Sequence, residues 1–159
     1  MTKPLMVHVI TNFAGVGGAE MMLARLIQCT EQQYKHVIIA LMKTSEVYQS
    51  TLDRCQAHYA LDWNGINTLG TVSKLRTLLK KLQPATVQCW MYHANVLTSL
   101  SIIGLAQKPK VVWGIHHSLA SPKDESISTK IALGLSKILS QQASAIIYCA
   151  HSSMQQHQA

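Results

Sequence analysis

A doubly wound α/β domain with a parallel sheet is the fold this sequence predicts, and three observations predict it. Short apolar runs alternate regularly with amphipathic stretches of helical length. Several of those runs, VIIALM and VVWGI among them, are continuously apolar, as strands buried on both faces can be. The first run passes through a glycine-rich turn, Gly15-Val16-Gly17-Gly18, straight into the first amphipathic stretch. Strands that alternate with such helices require right-handed crossovers and a parallel sheet covered on both faces.

The elements follow in order. Leu5–Thr11 reads as the first strand, and Ala19–Cys29 as a helix whose Met22, Leu23, Leu26 and Ile27 form one apolar stripe. Strand His36–Met42, helix Glu46–Cys55 and strand Ala57–Asp62 come next. Helix Val72–Leu82 carries Leu75, Leu78, Leu79 and Leu82 on one side, and Pro84 stops it before strand Thr86–Met91. Helix Ala94–Leu105, strand Lys110–Ile115, helix Ser126–Gln141 and strand Ala145–Cys149 complete the pattern. About six strands with helices on both faces make a Rossmann-like sheet, which binds ligands beyond the C-terminal strand ends where the winding reverses. Residues 1–159 read as one domain. The final SSMQQHQ begins a further helical pattern, so the chain reads as the front part of something longer.

Composition narrows the class. With 48% hydrophobic and 13% charged residues, the chain can build a packed core and is unlike a disordered one. Val96–Ala106, the longest apolar candidate, is broken by Thr98, Ser99, Ser101 and Gly104 and falls short of the ~18 residues that span a bilayer. The apolar stretch after Lys3 is too short for a secretory signal, so cytoplasmic residence is expected. Fourteen Lys and Arg against seven Asp and Glu give a net charge of +7, which favours polyanions or anionic lipid. The basic residues are scattered without interleaved aromatics, so nucleic acid is not an expected partner, whereas peripheral contact at the inner face of a membrane fits. The four cysteines show no CxxC pair, and Cys89 and Cys149 fall in strands, as reduced core thiols do.

The candidate chemistry gathers at the predicted ligand edge. Gly17 and Gly18 allow positive φ and close backbone approach, and the following helix N-terminus can hold an anion; a plain tight turn explains them as well. Glu20 lies in the first helical turn, where the helix dipole stabilises it or where it orients the loop or a substrate hydroxyl. A dinucleotide fingerprint fits poorly, because its third glycine falls on Glu20 and the second strand ends at Met42-Lys43 without the ribose-binding acid. His93 is expected in the turn after the fourth strand, and Asn95 as a helix cap. His116, His117 and Ser118 follow the fifth strand. No nucleophile elbow, Walker lysine or metal-ligand spacing appears.

The run ITNFAGVGGAEMMLARLI resembles the opening of the retaining glycosyltransferases of the GT4 type, whose GT-B fold sets two Rossmann-like domains across a cleft. VQCWMYHANVLTSL is similar to the family's fourth strand with its histidine, VVWGIHHS to its fifth, and AIIYCAHSSMQQH to the close of the N-terminal domain. The resemblance implies transfer of a sugar from a nucleotide-sugar donor, acting as co-substrate with no further cofactor and no metal, to a glycan or lipid-linked acceptor. It implies Gly17, Gly18 and Glu20 near the diphosphate, His93 as the catalytic-site residue near the transferred sugar, and Asn12, Asn95 and His116 on the acceptor side. The family's C-terminal donor-binding domain has no counterpart in the sequence, which implies little activity for this lobe alone. An NAD(P)-binding oxidoreductase domain and a non-catalytic Rossmann-like interaction module are the alternatives.

Overall fold

The computed structural model describes residues 2–115 and 126–148. Six strands, β1 (Leu5–Ile10), β2 (Lys35–Ala40), β3 (Ala57–Ala60), β4 (Thr86–Trp90), β5 (Lys110–Ile115) and β6 (Ala145–Tyr148), form one sheet in the order β3-β2-β1-β4-β5-β6. Every neighbouring pair is parallel. The helices are α1 (Gly18–Thr30), α2 (Gln49–Asp53), α3 (Thr68–Leu82), α4 (Tyr92–Ser101) and α5 (Ile127–Leu139). This is the Rossmann-like arrangement expected from the alternation.

Two cores follow from the period-2 geometry of the strands. Val7, Val9, Val87, Cys89, Val111 and Trp113 point to one face and pack with Leu75 and Leu79 of α3, Leu97 of α4 and Leu139 of α5. Ile10, Ile38, Ala40 and Trp90 point to the other and pack with Leu23 and Ile27 of α1 and Leu52 of α2. Cys89 is fully buried, and burial pushes its thiol up to about 12, which leaves it protonated and inert.

The expected elements need several corrections. The segment expected as helix Glu46–Cys55 is a 3-10 turn, Glu46–Tyr48, followed by the short α2. Helix α3 begins at Thr68, earlier than expected, and ends as Gln83 takes a left-handed conformation at φ 46° before Pro84. Helix α4 begins at Tyr92 and ends at Ser101, so His93 lies in its first turn and Asn95 in its interior. Cys149 lies outside the described residues. No helix among the described residues is long and apolar enough to cross a membrane.

A row of buried polar groups crosses the α1 face. The Trp90 indole N–H donates to His8 Nδ1 at 3.3 Å. Because an indole can only donate, His8 carries its proton on Nε2 and donates to His36 Nδ1 at 3.0 Å. His36 then donates from Nε2 to Thr30 Oγ1 at 3.1 Å, and the Thr30 hydroxyl donates to the Leu26 carbonyl at 2.6 Å. Both imidazoles are therefore neutral. Burial, reinforced by the neighbouring His36, lowers His8 to about 3; burial also lowers His36, against the opposing influence of Thr30 and Glu31.

Candidate functional site

The strand order reverses between β1 and β4, so their C-terminal ends diverge and open a crevice. The turn after β1 is held from beneath. Phe13 is fully buried and stacks on Tyr48 with ring centroids 4.2 Å apart, and the Tyr48 hydroxyl donates to the Gly15 carbonyl at 2.8 Å. Burial, then the charge of Glu20, raises the Tyr48 pKa, so this hydroxyl keeps its proton.

Helix α1 starts behind Gly17, whose backbone is extended at φ −133° and which offers no side-chain cap. Glu20, at the third helical position, folds back over it: a Cβ on Gly17 would stand 2.5 Å from a Glu20 carboxylate oxygen. The glycine is needed for this close approach. It is not needed for positive φ, because among the described glycines only Gly65 and Gly104 adopt it, contrary to the expectation for the turn. Around Gly18 the chain leaves open space within 4 Å of an added Cβ. In denaturation measurements, Gly18→Ala is expected to leave stability unchanged or raise it by up to about 1 kcal/mol, as alanine does in a helix. Gly17→Ala is expected to cost about 1 kcal/mol, because alanine is a poor N-cap and displaces the carboxylate. The reverse ranking would contradict this geometry.

A cleft of about 400 Å³ opens here, lined by Ile10, Thr11, Asn12, Gly17, Gly18, Ala19, Glu20 and Met91. The structure thus brings together Asn12, Gly17, Gly18 and Glu20. Thr11 Oγ1 and Asn12 Oδ1 are buried oxygens with no hydrogen-bond partner among the described residues. A larger hollow of about 600 Å³, flanked by Lys80, Gln83, Lys108 and Lys110, lies at the opposite edge of the sheet and contains none of these residues.

Met91 supplies the other wall, and its backbone is unusual. At φ 79°, ψ 164° it occupies a region used almost only by glycine, at a cost of roughly 1–3 kcal/mol. Its N–H donates to the Gly114 carbonyl at 3.1 Å and its carbonyl accepts from Asn95 N–H at 3.0 Å, which holds the strained turn between β5 and α4. Such strain persists where the surroundings over-determine it, commonly at functional sites. It swings the chain from strand into helix within one residue and sets His93 two positions behind the cleft wall.

His93 is half-buried, with its ring centroid 5.1 Å from that of Trp63 and the planes tilted by 50°. Trp63 is itself held, its indole N–H donating to Thr68 Oγ1 at 3.0 Å and the Thr68 hydroxyl donating to the Gly65 carbonyl at 2.6 Å. Asn95 does not cap α4. It is fully buried inside the helix, and neither amide atom has a hydrogen-bond partner among the described residues. His93 and Asn95 are not cleft-lining residues; they follow Met91 along α4. His116, with His117 and Ser118, lies outside the described residues. Trp63 is the contact that sequence reasoning missed; its place just after the third strand was the available signal.

Where a dinucleotide fingerprint has its third glycine, this turn has Glu20, whose carboxylate lies over Gly17. Among the described residues no group of three His, Cys, Asp or Glu side chains could hold a metal ion.

Comparison with known proteins now adds the family. The fold is similar to HepE of Anabaena in complex with UDP and glucose, at a TM-score of 0.68 and 14% identity over 95% of this chain and 40% of that one. It is similar to the lipopolysaccharide outer core galactosyltransferase WaaB in its apo form, at 0.70 and 12% identity over 96% of this chain and 41% of that one. It is also similar to MurG of Acinetobacter baumannii, at 0.59 and 17% identity over 94% of this chain and 43% of that one. The chain thus spans about 40% of the length of these solved structures and matches one half of a GT-B fold. A search of curated proteins by sequence finds no match. The profile of Glycosyltransferase Family 4 matches residues 16–159, from the glycine turn onward, and the chain belongs to that family.

Proposed function

We propose that this chain is the acceptor-side lobe of a retaining glycosyltransferase, which moves a sugar from a nucleotide-sugar donor to a glycan or lipid-linked acceptor. The observation that carries this reading is the meeting, at one switch point, of the Gly17–Gly18 turn with the strained Met91 that leads into His93. Family membership supports the reaction class, and the HepE complex holds UDP and glucose. In this reading the diphosphate approaches the free N–H groups of the first turn of α1 on the open Gly18 side. The Glu20 carboxylate makes the Gly17 side hostile to phosphate and suited to accepting hydrogen bonds from sugar hydroxyls. Asn12 belongs to the acceptor side, where the family resemblance also assigns His116. His93 stands near the transferred sugar, and the reaction rests on positioning and on electrostatic stabilisation of the departing nucleotide diphosphate.

A second, donor-binding domain completes the site, so the lobe alone turns over little. Assembly of a polysaccharide on the cytoplasmic side is the setting this implies. The test joins the chain to the donor-binding domain of a two-domain relative and compares the chimera with the 159-residue chain. Transfer from a UDP-sugar by the chimera alone is the expected result. Turnover by the 159-residue chain, or affinity for UDP equal to that of the chimera, would overturn the proposal.

A further inference from the structure

Trp63 and His93 come from opposite sides of the sheet centre. β2 and β1 separate β3 from β4, so about 14 Å lies between the strands that precede these two residues. The loop after β3 closes that gap. Leu61, Asp62 and Trp63 stay tied to the end of β2, their N–H groups donating to the carbonyls of Ala40 at 3.0 Å, Met42 at 3.1 Å and Leu41 at 2.7 Å. Asp62 takes the left-handed conformation at φ 54°, which aspartate tolerates better than most residues. Among the described residues it is one of three outside glycine with positive φ, and Met91, just ahead of His93, is another.

Side chains then close the loop on itself. Asn64 Oδ1 accepts from the N–H groups of Ile66 at 3.0 Å and Asn67 at 3.1 Å, while Asn67 Oδ1 accepts from the Asn64 N–H at 2.9 Å. The Asn67 amide donates to the Asp62 carbonyl at 3.1 Å. Trp63 is thus fixed at its backbone N–H by Leu41 and at its indole N–H by Thr68. Filling the space beside the core needs only an apolar side chain; the bond on Nε1 adds a fixed orientation. The indole therefore offers the imidazole of His93 one set surface.

We infer that Trp63 is a positioning residue, which holds the His93 imidazole in the geometry that sugar transfer requires. The inference rests on the transferase reading and adds a residue to it. The backbone of His93 is set by the first turn of α4 behind the strained Met91. What remains is rotation of its side chain, and the tilted contact with Trp63, at 5.1 Å between centroids, restricts that rotation. A reacting group misplaced by about 1 Å loses on the order of 10²-fold in rate, so the hold on the ring matters to turnover as well as to packing. Trp63 acts through His93 and not on the substrate itself.

Two measurements test it. Proton NMR of the 159-residue chain should show the His93 ring protons displaced by the ring current of the indole; Trp63→Leu should remove the displacement and Trp63→Phe keep part of it. In the two-domain chimera Trp63→Leu is expected to lower kcat roughly 10- to 100-fold with KM for donor and acceptor little changed, and Trp63→Phe to recover most of the rate. Thr68→Val frees the indole N–H while keeping its packing, and should lower kcat several-fold even if the leucine variant fails to fold. In a His93→Ala background each of these changes should alter kcat by less than about twofold. A loss of full size in that background, or a rise in acceptor KM in place of the fall in kcat, would overturn the inference and make Trp63 a direct substrate contact. Ring protons unmoved by Trp63→Leu would overturn it too. Full turnover in the Trp63 and Thr68 variants, with His93→Ala still impaired, would end this inference and leave the transferase reading in place; a wild-type chimera without turnover would end both.

Discussion

Replacing His93 with alanine is expected to lower the turnover of the two-domain chimera by about 10²–10³-fold, the usual loss when one preorganised donor to a reacting centre is removed. The fall should appear in kcat, with KM for the acceptor little changed, as for an interaction made only in the transition state. Some stability should go as well. The imidazole packs against Trp63, so a cost of about 1 kcal/mol is expected in denaturation of the lobe. His93→Gln, which keeps a donor, should recover part of the rate. Turnover that survives both substitutions would leave His93 as packing for Trp63 and remove the central residue of the proposed mechanism.

Acid should unfold this domain through its histidine row. His8 titrates at about 3 when folded and near 6.5 when unfolded. Above pH 6.5 both states are neutral at this residue and stability does not depend on pH through it. Between 6.5 and about 3 the unfolded chain binds a proton that the folded chain does not, so stability falls as pH falls. The loss is about 1.4 kcal/mol for each pH unit, so two or three units remove about 3–4 kcal/mol, a substantial part of the roughly 5–15 kcal/mol that stabilises a typical domain. His36, also lowered, acts in the same direction. Urea denaturation between neutral pH and pH 4 should show the slope. His8→Leu should flatten it while costing about 2–4 kcal/mol at neutral pH, because the Trp90 N–H and His36 lose their partner inside the core. A wild-type curve flat across this range would refute the assignment of two neutral, buried imidazoles.

What was legible in the sequence is what local pattern determines. The alternation of apolar runs and amphipathic stretches shows the parallel sheet, and strand ends fall within two residues of their observed places. Asn12, Gly17, Gly18 and Glu20 meet in one cleft because they belong to a single strand–turn–helix unit. What was not legible depends on distant partners or on one backbone angle. Helix α4 starts before the expected Ala94 because Met91 is held at positive φ by Gly114, a residue on the next strand. That shift turns Asn95 from a cap into an interior residue. Trp63 reaches His93 only because the loop after β3 passes back to the start of α4. The pairing of His8 with His36 needs the register of β1 on β2, where Met6 faces His36 and His8 lies diagonally across. Two histidines inside apolar strands were the visible trace of it.

The one-way order of donors from Trp90 to Leu26 has an electrical consequence. Bond dipoles that all run the same way add, so the row presents its positive end at the last turn of α1, where the helix is negative, and its negative end toward Trp90. Where the row meets α1, at Thr30 and Leu26, its positive end offsets part of the charge on the negative terminus of the helix. The other terminus, at the glycine turn, keeps its donors turned to the cleft and receives no such compensation from Thr30.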